Sequence, residues 1–157
     1  MKFKIDFNGK MENRVLRYII RDYSFSTVPL AKCHRFSLCV NMLELTINWD
    51  EGKVVSVDGC CPYGGWKKTK FSMPKYQPGA LLVEINFEPI PGIVYPVTDR
   101  EHWPMYVNET TGWVCIGDYL QRGPAVEFIK NCVAVVSKEE GDLLSLWLKP
   151  KYLERYS

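Results

Sequence analysis

The chain is poor in the patterns from which most catalytic and metal sites are built. It has 2 histidines, His34 and His102. It has no C-x2-4-C knuckle, the usual source of structural zinc ligands, so Cys33, His34, Cys60, Cys61 and His102 are not expected to hold a metal. G-x-S-x-G, G-x-G-x-x-G, P-loop and H-E-x-x-H patterns are absent. Thiol chemistry needs a base beside the sulfur. His34 follows Cys33 directly, and neighbours on a strand point to opposite faces. His102 lies in Asp99-Arg100-Glu101-His102-Trp103, which reads as a solvated charged turn. An enzyme using a thiol or His102 therefore ranks last among the function classes, and no cofactor is expected.

Charge of one sign is also scarce. A formal net charge of +2 is too small for the basic excess of a nucleic-acid-binding domain. No uninterrupted apolar run approaches the ~20 residues that span a bilayer. The first nine positions, Met1 to Gly9, alternate polar and apolar residues and lack the apolar core of a signal peptide. A soluble cytoplasmic protein is expected. Three of the 6 cysteines, Cys39, Cys115 and Cys132, sit inside apolar stretches, where reduced cysteine acts as a small core residue. The reduced state is expected throughout. The Asn108-Glu109-Thr110 acceptor motif carries little meaning in that context.

What the chain does have is period-two alternation. Its 157 residues suffice for one domain, 1–157, with a core that needs no disulfide or metal. Phe3, Ile5 and Phe7 alternate with Lys2, Lys4 and Asp6. Phe36, Leu38, Val40 and Met42 form a second set, and Leu43, Leu45, Ile47 and Trp49 a third of opposite parity. That change of phase predicts a bulge or sharp bend near Met42. Asp50-Glu51-Gly52 offers a turn, and Val55 and Val57 resume the alternation beyond it. Leu81, Val83, Ile85 and Phe87 mark a further strand. Hairpins are expected around Gly112 and around Gly141. The periodicity of residues 14–23 fits helix or strand, and their β-branched and aromatic content favours a strand. The segment 124–131 is ambiguous too and would suit a helix opened by Pro124, while 24–32 reads as a connection punctuated by Pro29.

These signals predict an all-β fold, an antiparallel barrel or sandwich of about 8–9 strands, mostly hairpin-connected, with at most one or two short helices. A closed barrel of this strand number is similar to the lipocalin-type architecture in strand count alone. No family's signature residues are present.

The carboxylate pairs Asp50-Glu51 and Glu139-Glu140 fall in predicted turns, and Glu84, Asn86 and Glu88 share a polar strand face expected to meet solvent. The stretch 59–80 is different. Its periodicity stops, its glycines and prolines predict a long irregular loop, and its four lysines, Lys67, Lys68, Lys70 and Lys75, stand without one acidic residue. Tyr63, Trp66, Phe71 and Tyr76 lie among them. Rings beside cations suit an acidic protein surface, with the rings as anchors and the lysines steering association. They also suit single-stranded nucleic acid, which the small net charge argues against. The alternative is structural, with Trp66 and Phe71 folding inward to cap the core. Three function classes follow. The first is a non-catalytic binding domain of immunity or adaptor type, recognising a protein through a β face and these eight side chains. The second is a barrel holding a small apolar ligand, and the third is a thiol-dependent enzyme.

Overall fold

A computed structural model describes residues 1–99 and 102–154, and the side chains among them up to Lys151. The strands in chain order are β1 (Lys2–Asp6), β2 (Val15–Ile19), β3 (Ser24–Val28), β4 (Arg35–Val40), β5 (Leu43–Asn48), β6 (Lys53–Cys60), β7 (Lys67–Lys68) and β8 (Gln77–Pro78), followed by β9 (Ala80–Glu84), β10 (Val94–Pro96), β11 (Met105–Asn108), β12 (Trp113–Gly117), β13 (Ala125–Ile129), β14 (Cys132–Val136), β15 (Leu143–Leu148) and β16 (Tyr152–Glu154). Two short 3-10 turns, Ile20–Asp22 and Tyr63–Gly65, are the helical segments among the described residues. The expected all-β architecture is observed.

The strands form two sheets. The first runs β10-β4-β5-β6-β3-β2-β16, with β9 and β1 branching from β6. The second runs β7-β11-β12-β15-β14-β13-β8. One apolar core lies between them. Leu38, Leu45, Ile47, Val57 and Leu81 from the first sheet meet Ile116, Val126, Phe128, Ala134, Leu146 and Leu148 from the second. Burial of this kind contributes about 25 cal/mol per Å² of apolar surface and is the main force holding the layers together.

The first sheet forks at β6. That strand bonds β3 through Gly59 and Cys60, and bonds β9 through Lys53. Where β3 leaves it, side chains take over the ladder. The Thr27 N–H donates to Asp58 Oδ1 (3.1 Å), and the Val57 N–H donates to Thr27 Oγ1 (3.3 Å). Glu12 ties the sheets together: its N–H bonds the Phe128 carbonyl (2.9 Å), while its carboxylate takes Lys53 Nζ (3.2 Å).

Several expectations need correction. The phase change near Met42 is not a bulge in one long strand. Asn41 and Met42 form a tight turn between β4 and β5, with Asn41 at φ 53°, a left-handed conformation that asparagine tolerates well. The same asparagine pins a distant segment: Asn41 Oδ1 accepts the Trp103 N–H (2.8 Å), and Asn41 Nδ2 donates to the Trp103 carbonyl (3.0 Å). Residues 24–32 hold a strand, β3, whose Phe25 and Thr27 are buried. Residues 14–23 form β2 and a 3-10 turn, and 124–131 contain β13. The strands number more than 8–9 because β4 and β5 are two strands and not one, β3 and β13 are added, and two- and three-residue strands pair at the sheet edges, where they are too short to show a period. The hairpins at Gly52 (φ 67°), Gly112 (φ 82°) and Gly141 (φ 70°) form as expected.

Candidate functional site

The 59–80 stretch is not a free loop. It leaves the first sheet at Cys60, and its part 67–78 runs from one edge of the second sheet to the other. Lys67 and Lys68 pair in parallel with Tyr106 and Val107 of β11. Gln77 and Pro78 pair in parallel with Val126 and Glu127 of β13. Residues 69–76 therefore cross the outer face of five intervening strands as a strap. Six strand spacings of ~4.8 Å make about 29 Å. The chain from Lys68 to Gln77 reaches about 30 Å when extended, so the strap carries little slack.

Inward-facing side chains hold it down. Phe71, 7% exposed, meets the Trp147 ring edge-to-face at 5.0 Å and Tyr119 at 6.1 Å. These rings, with Trp113, Cys115, Ala125, Val133 and Val135, form a second apolar cluster on the outer face of the sheet. Asn108 Nδ2 donates to the Phe71 carbonyl (3.0 Å), and the Thr69 N–H donates to the Val107 carbonyl (2.9 Å). Pro74 is buried and Met73 packs on the cluster. Tyr76, 39% exposed, lies edge-on to Trp113 at 6.2 Å. Its hydroxyl pKa is raised, by burial first and by the neighbouring Glu127 carboxylate second. Glu127 itself is buried and accepts the Asn131 N–H (2.9 Å).

With the apolar residues turned in, the lysines turn out. Lys67, Lys68, Lys70 and Lys75 are all exposed. Lys68 Nζ lies 3.1 Å from Glu109 Oε1, an exposed pair worth little in water.

The stretch starts on an aromatic cluster. Tyr63, 47% exposed, sits on its 3-10 turn beside Tyr23, at 5.7 Å between rings. Beneath them Trp66, half-buried, packs against Tyr18 (5.1 Å) and stacks on Phe25 (6.0 Å). Tyr18 is the post under this corner. Its hydroxyl donates to the Cys61 carbonyl (2.8 Å) and accepts the Tyr63 N–H (3.1 Å). Burial pushes that hydroxyl far above its ordinary pKa, so it stays protonated. Tyr18→Phe removes both bonds and leaves a buried carbonyl and an amide unpaired. A loss of about 1–3 kcal/mol in unfolding free energy is expected. Hydrogen exchange at the Tyr63 amide accelerates with it; an unchanged rate there contradicts this role for Tyr18.

Of the eight residues expected at the site, the structure thus turns Tyr63, Tyr76 and the four lysines towards solvent, half-buries Trp66 and buries Phe71. Tyr23 escaped the sequence reading. It stands at φ 52°, left-handed for a bulky residue, and no residue-type signal announces that.

The remaining candidates stay apart. His34 is exposed and stacks on Trp49 at 4.7 Å. All six thiols are free. Burial pushes the Cys61 thiol up to about 11, against a small opposing pull from Trp66, and raises Cys115 and Cys132 too. Such thiols are poor nucleophiles. Arg100 and Glu101, next to His102, lie outside the described residues. Among the described residues no group of three or more His, Cys, Asp and Glu side chains is placed to hold a metal ion. No helix among them is long and apolar enough to cross a membrane. No protein-family model matches the chain, and no curated protein matches it.

Proposed function

We propose that this protein is a non-catalytic binding domain, of immunity or adaptor type, that docks an acidic surface of a protein partner on the strap. The observation that carries the reading is the division of labour along 67–76: apolar side chains pin the segment to the sheet, and every lysine faces solvent. A cationic ridge held at both ends loses little conformational freedom on binding, which favours affinity. Lysines in the open steer an acidic partner during approach, and the exposed Tyr63 and Tyr23 rings supply apolar contact at one end. Nucleic acid is the weaker candidate, since the chain as a whole carries a formal net charge of only +2. Six free thiols fit a reducing compartment, and the cytoplasm is the location we assign.

The full chain serves as bait, beside a variant with Lys67, Lys68, Lys70 and Lys75 all changed to Glu. An acidic protein is retained by the native chain after nuclease treatment, and its binding weakens at least tenfold in the variant and in high salt. Retention of the same protein by both baits contradicts the reading, as does loss of binding on nuclease treatment alone.

A further inference from the structure

Where the strap ends, a groove begins, and it carries an open strand edge. A cleft of about 580 Å³ is lined by Phe7, Pro74, Lys75, Tyr76, Gln77, Pro124 and Ala125. A second, of about 240 Å³, runs between β1 and the end of β14. Phe7 and Pro124 line both, so the two clefts adjoin across these residues. Phe7, 46% exposed, stands at the junction and offers an apolar ring to both clefts.

Along the second cleft runs the far side of β1. Lys2, Lys4 and Asp6 oppose Glu84, Leu82 and Ala80 of β9. The Phe3 N–H, however, turns away from β9 and donates to the Gly141 carbonyl (2.7 Å). Antiparallel strands alternate the direction of their backbone groups. Ile5, two residues on, therefore aims its N–H and C=O into the groove, and no hydrogen bond outside the β1–β9 ladder reaches either group among the described residues. Two of the other edge strands, β8 and β10, are blunted by Pro78 and Pro96, whereas β1 carries no proline. The cleft beside Ile5 is lined by Lys4 and Lys138, the adjoining one by Lys75, and neither by a carboxylate. The nearest acid on the same strand, Asp6, is engaged by its own turn, where Oδ1 accepts the Asn8 N–H (3.0 Å).

We infer that β1 takes an extended, acidic segment of a protein partner as an added strand, bonded to the Ile5 backbone, with an apolar side chain against Phe7 and carboxylates reaching Lys4, Lys75 and Lys138. Added strands gain affinity from main-chain bonds and specificity from alternate side chains. The inference rests on the reading of a protein partner but names a different contact from the strap.

The probe is an acetylated, amidated peptide alternating Glu with Val and Phe, seven residues long, titrated into the 15N-labelled full chain. The expected result is amide shift changes at Ile5, Phe7 and Lys138 with slowed exchange of the Ile5 N–H. Binding falls at least tenfold when the central peptide amides are N-methylated, and at least tenfold in Lys4→Glu/Lys138→Glu. Equal binding of the N-methylated peptide, or of a peptide with Lys in place of Glu, overturns the inference. Shifts confined to Lys67–Lys70 overturn it as well while supporting the strap. The strap variant with Lys67, Lys68 and Lys70 changed to Glu keeps groove binding, so the two readings fail separately.

Discussion

Phe71→Ala lowers the unfolding free energy by about 3 kcal/mol and releases the strap. The size follows from deleting a nearly buried ring and leaving a cavity beside Trp147 and Tyr119. For a chain of this size that is a fall of roughly 6–12 °C in Tm. The local consequence is the more telling one. Without its central ring the segment 69–76 keeps its flanking two-residue strand pairs, the packing of Met73 and Tyr76 and a few hydrogen bonds, but loses its most deeply buried side chain. Trypsin then cuts after Lys70 or Lys75 in the native state well before global unfolding. The uncovered face, with Trp113, Cys115 and Trp147, binds a hydrophobic dye such as ANS. Urea titration, limited proteolysis and dye fluorescence read the three effects. A loss below 1 kcal/mol with unchanged cleavage shows that the strap does not depend on Phe71.

The strap also explains which parts of the fold were legible. The first sheet was easy to read where one face is apolar: Leu43, Leu45 and Ile47 are buried, Glu44 and Asn48 on the other face are partly exposed, and only Thr46 on that face is covered. The second sheet behaves differently. Every residue of β12, β13 and β14 is buried, so Trp113–Gly117 and Cys132–Val136 read as unbroken apolar runs. Such runs carry a message: both faces are covered, and one cover must come from elsewhere in the chain. The basic aromatic stretch supplies it. Its own alternation was hidden because an extended segment lying across strands follows their surface, not a two-residue ladder. Only its composition stood out. Phe71 and Trp66 were ambiguous on that evidence, because a ring beside a lysine looks the same whether it faces in or out. The edge at Ile5 could not be read at all, since it depends on which way one backbone group turns. The alternation of Phe3, Ile5 and Phe7 gave the strand but not its neighbours.

Stability falls at alkaline pH, and Cys61 is a main cause. Its thiol is pushed up to about 11 from an ordinary 9.0, because burial disfavours the thiolate. The folded pKa lies above the unfolded one. The group's contribution is therefore complete below pH 9 and is lost as pH rises through about 11. Each pH unit between the two values is worth about 1.4 kcal/mol, so Cys61 alone removes on the order of 3 kcal/mol. Tyr18, Cys115 and Cys132 are raised by burial as well and act in the same direction. Tyr18 and Cys61 share a corner, with the Tyr18 hydroxyl bonded to the Cys61 carbonyl, so deprotonation there loosens the support beneath Tyr63 and Trp66. Urea unfolding under reducing conditions is expected to give a constant free energy from pH 6 to 8 and a steep fall between pH 9 and 11. Cys61→Ala starts lower, because it leaves a small cavity beside Met105 Sδ, which lies 3.4 Å from the native sulfur. Its curve is flatter over the same range. If the native chain at pH 10.5 stays within 1 kcal/mol of its value at pH 7, or if Cys61→Ala falls just as steeply, the buried thiol is not what ties this corner of the sandwich to pH.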